Sequence, residues 1–328
     1  MDNAQIQQFF SISNQVEFER LAMQVFLFQF EKNPVYKIYC QHLGKSPLNV
    51  LRVEEIPFLP IEFFKSHKVV SSKGNPQAIF ESSGTTQSRT SRHFVNDISL
   101  YEQSYSLGFN TFYGQPESFC ILALLPSYLE REGSSLIYMI KDLVGKSKHA
   151  SSGFYLYDLE KLHQTLYHLE QEKTKTLLVG VSFALLDLAE QFPMPLEHTI
   201  IMETGGMKGR RKELIREELH DILKTAFGIP EIHSEYGMTE LLSQAYSHGH
   251  GRFKAPNWMK ITTRDTEDPF TKQTFGKTGG INVIDLANVH SCSFIATQDL
   301  GKTYANGTFE ILGRFDQSDV RGCNLMAL

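Results

Sequence analysis

The sequence of 328 residues lacks the features of membrane-spanning, secreted and nucleic-acid-binding proteins. No apolar run approaches the roughly 20 residues that a membrane-spanning helix needs. The amino terminus, MDNAQIQQFF, has no positively charged segment of the kind that begins a secretory signal peptide. The net charge of −5 leaves no excess of positive charge for binding a nucleic acid or an anionic membrane surface. We therefore expect a cytoplasmic protein with no membrane span and no nucleic-acid partner.

Cysteine is also scarce, and its spacing excludes two kinds of stabilising site. The four cysteines, Cys40, Cys120, Cys292 and Cys323, lie far apart and show neither the paired spacing of a zinc site nor a disulfide framework. Cys40 and Cys120 fall within apolar helix and strand patterns, which is typical of inert core positions. This usage fits the reducing conditions of the cytoplasm. Internal repeats and low-complexity linkers are likewise missing.

What the sequence does contain is an alternation of strand and helix patterns. An amphipathic helix is predicted over VEFERLAMQVFLFQFEKN, and Asn33-Pro34 is expected to stop it. From FCILALLP onward, short apolar runs alternate with helical patterns, of which one is expected to end at Gly145 and the last at Gly228. Such alternation indicates βαβ units with a mostly parallel sheet, hence an α/β fold. After about residue 250, hairpin signals such as Asn306-Gly307 predict a small β subdomain.

Ligands in α/β sheets bind on loops beyond the carboxyl ends of strands, and three loops rich in small residues are candidates for that place. The first, SSGTT at residues 82–86, follows the strand pattern QAIFE and offers backbone N–H groups and hydroxyls to an anion. It is not a Walker loop, because the Gly-Lys-Ser/Thr ending is absent. The second is ETGGM at 203–207, and the third is YGMTE at 236–240, whose oxygen ligands suit Mg²⁺. Taken singly, each loop is also explained by a tight turn, the third as a strand-to-helix turn capped by Thr239.

The order of these loops is more informative than any one of them. SSGTT, TGGM, YGMTE, TQDLG and ILGRFD follow one another as in the adenylate-forming enzymes, which include acyl-CoA synthetases, peptide-synthetase adenylation domains and luciferases. The sequence resembles them from about residue 80 to its end. The resemblance implies layered αβα sandwich subdomains plus a small C-terminal β subdomain. We accordingly expect an N-terminal helical and extended segment packed on the core (1–75), an α/β adenylate-binding core (76–250) and a β subdomain with hinge and short tail (251–328).

The resemblance also implies ATP and Mg²⁺ as cofactors and gives a role to each matching residue. The ATP phosphates would be wrapped by Ser82, Ser83, Gly84, Thr85 and Thr86. The adenine would be enclosed by Gly205, Gly206, Glu235, Tyr236 and Gly237, with an aromatic ring against its face.

Four further residues would act on the rest of the nucleotide. Thr239 would contact the α-phosphate and Glu240 would hold Mg²⁺, which makes both of them catalytic. Asp299 would bind both ribose hydroxyls, and Arg314 would assist from the next β-hairpin. Such a site suits carboxylate activation, because Mg²⁺ and hydrogen-bond donors neutralise the phosphates while the acid attacks the α-phosphorus.

Two departures from the general pattern narrow the resemblance. The phosphate loop continues with Gln87-Ser88-Arg89 rather than Gly-x-Pro-Lys, so Arg89 or Arg92 is expected to supply the missing cation, and His93 is close enough in sequence to support the loop. The general family carries roughly a hundred further residues, including a catalytic Lys, after a hinge that matches residues 313–316 here, and we expect this lid to be absent. Together with TSRH, METGGMKGRR and SDVRGCNLMAL, this is similar to the LuxE-like acyl-protein synthetases of bacterial bioluminescence.

The LuxE-like resemblance implies a self-acylating thiol. In that family a fatty acid is activated as acyl-AMP and then loaded as a thioester onto a cysteine near the C-terminus, the place of Cys323 here. Neighbouring Arg321 would lower the pKa of this thiol and Asp319 would oppose that effect. A packing role for Cys323 in the tail is the alternative.

These observations predict an adenylate-forming ligase that activates a fatty or other apolar acid and passes the acyl group to a thiol, Cys323 or that of an acyl-accepting protein such as a reductase. One alternative is direct transfer to coenzyme A or an acyl carrier protein, with Cys323 structural. A second alternative is a catalytically reduced nucleotide-binding subunit of an acyl-transfer complex, which Gln87 and the missing lid lysine favour. The acid pocket is expected to be lined by residues near Val181, Ser182 and Phe183 and by the segment after Glu240.

Overall fold

The computed structural model describes residues 1–82, 90–125, 133–205 and 214–315. They fall into two compact units, of which unit 1 combines residues 1–75 with the chain from Asn257 onward and unit 2 spans Pro76–Pro256. The two chain segments of unit 1 are thus separated in sequence by the whole of unit 2. The three-part division expected from the sequence stays a prediction.

Helices are concentrated in the earlier part of the described chain, and strands predominate in the later part. The helices are α1 (Asn3–Gln7), α2 (Gln15–Lys32), α3 (Pro34–His42), α4 (Phe63–Ser66), α5 (Ile98–Tyr113), α6 (Ser135–Ser147), α7 (Leu159–Gln171), α8 (Ser182–Gln191) and α9 (Arg216–Phe227). The strands are β1 (Leu59–Pro60), β2 (Ala78–Glu81), β3 (Arg92–Val95), β4 (Cys120–Leu124), β5 (Gly153–Phe154), β6 (Thr176–Gly180), β7 (Thr199–Glu203), β8 (His233–Tyr236), β9 (Ala245–Ser247), β10 (Phe253–Lys254), β11 (Met259–Arg264), β12 (Gly279–Asp285), β13 (Phe294–Thr303) and β14 (Phe309–Arg314). Within the described ranges, no helix is long and apolar enough to cross a membrane.

Unit 2 is built on a sheet in the order β10-β9-β8-β7-β6-β4-β5. The strands from β5 to β8 pair in parallel, whereas β9 and β10 return antiparallel at one side. Every residue of β4 and β6 is buried, which requires packing on both faces of the sheet, as is usual for parallel strands. The α/β class with a mostly parallel sheet, predicted from the alternating pattern, is therefore confirmed.

Two helix ends in unit 2 show how local chemistry sets the boundaries. Helix α9 ends as predicted at Gly228, which has φ +63° and so takes the left-handed conformation that glycine tolerates best. The expected end of α6 at Gly145 is wrong, because the helix continues to Ser147 and Lys148 then takes the left-handed conformation. The Ser147 hydroxyl donates to the carbonyl of Phe119 at 2.6 Å, which fastens this additional part of the helix to the start of β4.

Unit 1 contains an antiparallel sheet in the order β11-β12-β13-β14, with β1 pairing in parallel with the start of β13. The predicted hairpin at Asn306-Gly307 is confirmed as the connection between β13 and β14, and Gly307 has φ +80°. Helix α2 fixes the N-terminal segment to the connection between β12 and β13 through buried Gln29, whose side-chain amide donates to the carbonyls of Asn288 and Val289. The N-terminal and C-terminal segments therefore share one core.

The predicted stop of α2 at Asn33-Pro34 is confirmed, but a new helix begins at once. The Asn33 side chain accepts a hydrogen bond from the N–H of Tyr36 at 3.0 Å and caps α3, while Pro34 is the first residue of that helix. Proline is favoured at this position because the missing N–H would have no partner inside the helix.

Candidate functional site

The carboxyl ends of β7 and β8 lie side by side in unit 2. The two strands are parallel, with Glu203 opposite Ser234, so the residues that follow each strand emerge at the same edge of the sheet. Gly205 follows β7, and the turn at residues 237–240 follows β8. The structure thus brings two of the predicted ligand loops together at the edge where α/β proteins bind ligands.

The first of these loops is anchored by Glu203, the last residue of β7. The backbone N–H of Gly205 donates to the Glu203 carboxylate at 2.7 Å, and the Gly205 carbonyl accepts from the N–H of Ser182 at 3.0 Å. Gly205 has φ +75°, a conformation in which a side chain would be strained. Its predicted neighbour in the adenine site, Gly206, lies outside the described residues.

Glu203 itself is a buried anion. It is 2% exposed and lies 3.2 Å from the Nε of Arg216 and 3.7 Å from the Nε2 of His220. Burial alone would raise the pKa of this carboxyl, but the neighbouring His220, the charge of Arg216 and the N–H of Gly205 lower it to about 2. The sequence reasoning missed this residue, although a glutamate between the apolar run TIIM and two glycines was a usable signal.

The turn after β8 is held by a histidine from another part of the chain. The Nδ1 of His93 lies 2.8 Å from the carbonyl oxygen of Thr239, and the His93 side chain is completely buried. Because a carbonyl oxygen can only accept, Nδ1 of His93 carries the proton. The next regular element is β9 rather than a helix, so the alternative explanation of Thr239 as a helix cap is wrong. Glu240 ends the turn with its side chain buried.

Tyr236 and Glu235 occupy opposite faces of β8. Tyr236 is buried, and its ring centroid lies 6.0 Å from that of Phe253 in an edge-on arrangement. Burial raises the pKa of the Glu235 carboxyl to about 8, and the negative charge of Glu203 adds to the effect. A Cβ on Gly237 would overlap an oxygen of this carboxyl, so the glycine permits a close approach between the turn and Glu235.

The predicted phosphate loop rises from the hairpin of β2 and β3. Ser82 is joined to Ser91 by two hydrogen bonds, Ser82 N–H to the Ser91 carbonyl at 3.0 Å and Ser91 N–H to the Ser82 hydroxyl at 2.9 Å. This pairing closes the base of the loop. The remaining predicted loop residues, Ser83, Gly84, Thr85 and Thr86, lie outside the described residues, as do Gln87 and Arg89. Arg92 is exposed, with its guanidinium 5.5 Å from the ring centroid of Phe94.

In unit 1, the structure pairs the two residues predicted for the ribose. Asp299 of β13 and Arg314 of β14 are directly opposite in the ladder, and Nε of Arg314 donates to the Asp299 carboxylate at 3.2 Å. The Asp299 side chain is 9% exposed and that of Arg314 is 60% exposed. The arginine therefore orients the carboxylate while keeping most of its own donors in solvent.

The sequence also predicts a nucleophilic thiol at Cys323 and a Mg²⁺ site at Glu240. Cys323 lies outside them, whereas Cys40, Cys120 and Cys292 are free and buried. Burial raises the pKa of each of these three thiols, that of Cys40 to about 12, so they are poor nucleophiles. No group of three or more His, Cys, Asp or Glu able to hold a metal occurs in the part of the chain that the structure describes.

The comparisons with known proteins agree with one another. The model of the LuxE family, described as acyl-protein synthetase, matches residues 9–327. The search of curated proteins found no match. Among solved structures, ATP-bound MatB from Rhodopseudomonas palustris is 19% identical with a TM-score of 0.55, and the match covers 74% of this chain and 49% of MatB. An open conformation of 2-hydroxyisobutyryl-CoA ligase in complex with 2-HIB-AMP and CoA is 12% identical with a TM-score of 0.64, and the match covers 92% of this chain and 71% of that ligase.

These structural likenesses show a shared fold. The chain spans about half the length of MatB.

Proposed function

This chain belongs to the LuxE acyl-protein synthetase family, and from that premise we propose that it activates a carboxylic acid with ATP and then transfers the acyl group to a thiol. In the first step the carboxylate oxygen attacks the α-phosphorus of ATP, the bond to the β-phosphate breaks, and pyrophosphate leaves. In the second step a thiolate attacks the acyl carbon, the bond to AMP breaks, and a thioester forms.

The observation that carries this proposal is the meeting of two predicted ligand loops at one edge of the unit 2 sheet. The Glu203 carboxylate accepts from the N–H of Gly205, and the buried His93 donates to the Thr239 carbonyl in the turn at 237–240, so each loop is preorganised by a hydrogen bond with a buried side chain. Preorganised donors and backbone suit phosphoryl chemistry, in which positioning and electrostatic stabilisation contribute most of the rate. The fold shared with ATP-bound MatB, and with a ligase that holds an acyl-AMP, supports the same reaction class.

We assign a set of contacts to each part of the nucleotide. Gly205 and Gly206 with the Glu235–Gly237 segment contact adenine, residues 82–86 contact the phosphates, and Asp299 binds the ribose with help from Arg314. Thr239 contacts the α-phosphate. The two polar residues of unit 1 suit the ribose, because an oriented carboxylate can accept from two vicinal hydroxyls.

Mg²⁺ fits the residues that are present. Glu240 is a buried carboxylate, and Mg²⁺ in nucleotide sites is usually held by one or two carboxylates together with substrate phosphates. Bound there, the ion would neutralise phosphate charge. Replacing Glu240 with Gln should lower acid-dependent pyrophosphate exchange about 100-fold. Glu160→Gln, an exposed change in the first turn of α7, is the matched control and should leave exchange unchanged.

The acceptor is the second part of the proposal. We propose that Cys323 accepts the acyl group, as in the LuxE-like family. The burial of Cys40, Cys120 and Cys292 supports this choice, because their raised pKa values keep them as thiols at neutral pH.

Acid-dependent exchange of labelled pyrophosphate into ATP tests the first step, with fatty, aryl and amino acids each offered in the presence of Mg²⁺. Exchange with at least one acid is expected, and no exchange across the whole panel would contradict adenylation. A protein that binds ATP without exchange would instead be a nucleotide-binding subunit.

The second step is tested with labelled acid in Cys323→Ala and Cys120→Ala. Label on the wild type and on Cys120→Ala, with none on Cys323→Ala but normal exchange, is the expected result. Thioester formation on added coenzyme A or acyl carrier protein, with Cys323→Ala fully active, would place the acceptor outside the chain.

A further inference from the structure

Strand β13 contains a β-bulge at Asp299, the residue that we assign to the ribose. The pairing register of β12 with β13 shifts between Gly280 and Asn282. The single residue Ile281 therefore lies opposite three residues of β13, 297–299. A bulge interrupts the hydrogen bonds of the ladder and turns side chains in new directions, and bulges are common next to functional sites. The position of the Asp299 carboxylate thus depends on the contacts that hold this bulge.

The side chain of Arg264, from β11, reaches across β12 into the bulge. Its Nη1 donates to the carbonyl of Ile281 at 2.7 Å, and its Nη2 donates to the carbonyl of Thr297 at 2.6 Å. Nη1 also donates to the side-chain oxygen of Asn282 at 2.7 Å. One planar guanidinium therefore links β12 and β13 where their ladder is interrupted, which a lysine ammonium cannot do with the same geometry.

Gly280 makes room for this guanidinium. It is directly opposite Arg264 in the ladder between β11 and β12. A Cβ on Gly280 would lie 2.6 Å from Cζ of Arg264, closer than two carbon atoms can approach. Any other residue at position 280 would therefore displace the guanidinium from the bulge.

Thr297 connects the arginine to the carboxylate. The carbonyl of Thr297 accepts from Arg264, while its hydroxyl donates to the carbonyl of Ile281 at 3.0 Å and accepts the N–H of Asp299 at 3.1 Å. The side chains of Thr297 and Asp299 are both buried. The backbone that carries the carboxylate is thus fixed by a chain of hydrogen bonds that begins at Arg264.

Phe315, directly after β14, completes the arrangement. Its N–H donates to the carbonyl of Gln298 in the bulge at 2.7 Å, and its ring centroid lies 5.6 Å from Cζ of Arg264. Burial lowers the pKa of the Arg264 guanidinium, and the negative charges of Glu62 and Asp299 are among the effects that raise it. Because arginine stays protonated in proteins, the bulge holds a permanent positive charge close to the carboxylate.

We propose that Arg264 is a positioning residue for nucleotide recognition, which holds the bulge of β13 in the arrangement that presents the Asp299 carboxylate to the ribose hydroxyls. The inference rests on the proposed function, because the ribose contact of Asp299 is part of that proposal. Arg264 acts through the backbone of the bulge and not on the reacting atoms. Its loss should therefore weaken recognition of the ribose and leave the chemical step unchanged.

The test compares ATP with 2′-deoxyATP in acid-dependent pyrophosphate exchange. The wild type should prefer ATP at least about tenfold in kcat/KM, because 2′-deoxyATP lacks one hydroxyl that the charged carboxylate binds. Arg264→Met should reduce this preference to roughly twofold by raising the KM for ATP at nearly unchanged kcat. Arg264→Lys should behave in the same way, because a point charge cannot pair with both strands.

The matched control is Lys260→Met, which removes another partly buried cation from β11. The Nζ of Lys260 lies 5.6 Å from the ring centroid of Phe18, and its pairing partner in β12 is Ile284, outside the bulge. This variant should keep the preference for ATP. Gly280→Ala keeps the arginine but displaces its guanidinium, so it should reproduce the loss of preference. If Arg264→Met does not fold, Arg264→Lys and Gly280→Ala provide the comparison.

A second measurement needs neither nucleotide nor acid. Amide hydrogen exchange followed by mass spectrometry should be at least about tenfold faster over residues 297–299 in Arg264→Met and Gly280→Ala than in the wild type and Lys260→Met. Unchanged exchange over these residues would show that Arg264 does not hold the bulge, and would overturn the inference.

The nucleotide comparison has equally definite outcomes. Equal use of ATP and 2′-deoxyATP by the wild type would overturn the inference while leaving adenylation intact. A retained preference in the Arg264 variants, with kcat lowered equally for both nucleotides, would indicate a role in folding alone and would also overturn it. If no acid supports exchange, adenylation fails, and calorimetric binding of the two nucleotides then tests Arg264 separately. A preference for ATP that Arg264→Met abolishes supports the inference, whereas equal binding or no binding refutes it.

Discussion

Replacing Glu203 with Gln removes one negative charge from the end of β7 and leaves the size of the side chain nearly unchanged. In the wild type this carboxylate lies 3.2 Å from the Nε of Arg216 and accepts the N–H of Gly205 at 2.7 Å. Removing one member of a buried ion pair costs about 3–5 kcal/mol, because the other charge is left without its partner. The Arg216 side chain is 27% exposed, so water can solvate it in the variant. We therefore expect the free energy of unfolding to fall by about 3 kcal/mol, the lower end of that range.

The effect should also depend on pH in a defined direction. The pKa of Glu203 is lowered to about 2 in the folded protein, from an ordinary value of 4.5. A carboxyl with a lowered pKa stabilises the folded state fully above its ordinary value and progressively less as the pH falls toward the folded value. The difference in stability between the wild type and Glu203→Gln should thus be largest at neutral pH and smaller at pH 3.5.

Urea unfolding followed by far-UV circular dichroism at pH 7 and pH 3.5 measures both quantities. The matched control is Glu231→Gln, which removes a carboxylate paired with exposed His250 at 3.0 Å and should cost less than about 1 kcal/mol. Amide exchange at Gly205 should quicken in Glu203→Gln only. A loss below about 1 kcal/mol at pH 7, or a loss that is equal at both pH values, would refute the ion-pair reasoning.

Three further predictions concern other residues of the two units. His93→Ala should lower pyrophosphate exchange about tenfold at unchanged folding, because the Thr239 carbonyl loses its hydrogen bond from the buried His93 side chain, and a normal circular dichroism spectrum with normal exchange would contradict this. Asp299→Asn should raise the KM for ATP about tenfold in the same assay, and an unchanged KM would remove this residue from the nucleotide site. Burial and the charge of Glu203 raise the pKa of Glu235 to about 8. The stability that the neutral carboxyl contributes is therefore fully present below pH 4.5 and is lost as the pH rises to 8. Glu235→Gln should accordingly lose less stability than the wild type between pH 5 and pH 9, and parallel curves in urea unfolding would contradict the assignment.

Much of the secondary structure of unit 2 could be predicted, because the sequence patterns of its strands and helices match the packing of these elements in the structure. The apolar run at Cys120–Leu124 is short, fully buried and followed by helical periodicity, which is the pattern of a parallel strand with its crossover helix. Gly228 ends α9 where the periodicity ends. The YGMTE segment was placed correctly at the end of a strand, since β8 stops at Tyr236.

Other features depended on contacts that no local pattern reports. Gly145 looks like a helix end, but the hydrogen bond from Ser147 to Phe119 extends α6 beyond it. The contact of His93 with Thr239 joins residues 146 positions apart. The sequence around these residues does not distinguish them from other core or turn residues, so their roles became visible only in the three-dimensional structure.

The joining of the two chain segments in unit 1 has a consequence for synthesis on the ribosome. Helix α2 needs the carbonyls of Asn288 and Val289 for its buried Gln29, partners that are made 259 and 260 residues later. At 5–20 residues per second that interval is roughly 15–50 s, during which the side chain of Gln29 lacks these two native partners. Unit 2, which is continuous in the chain, emerges within the interval and can fold first. Nascent chains halted before β12 should therefore protect the sheet of unit 2 from proteases while α2 remains cleavable and available to chaperones.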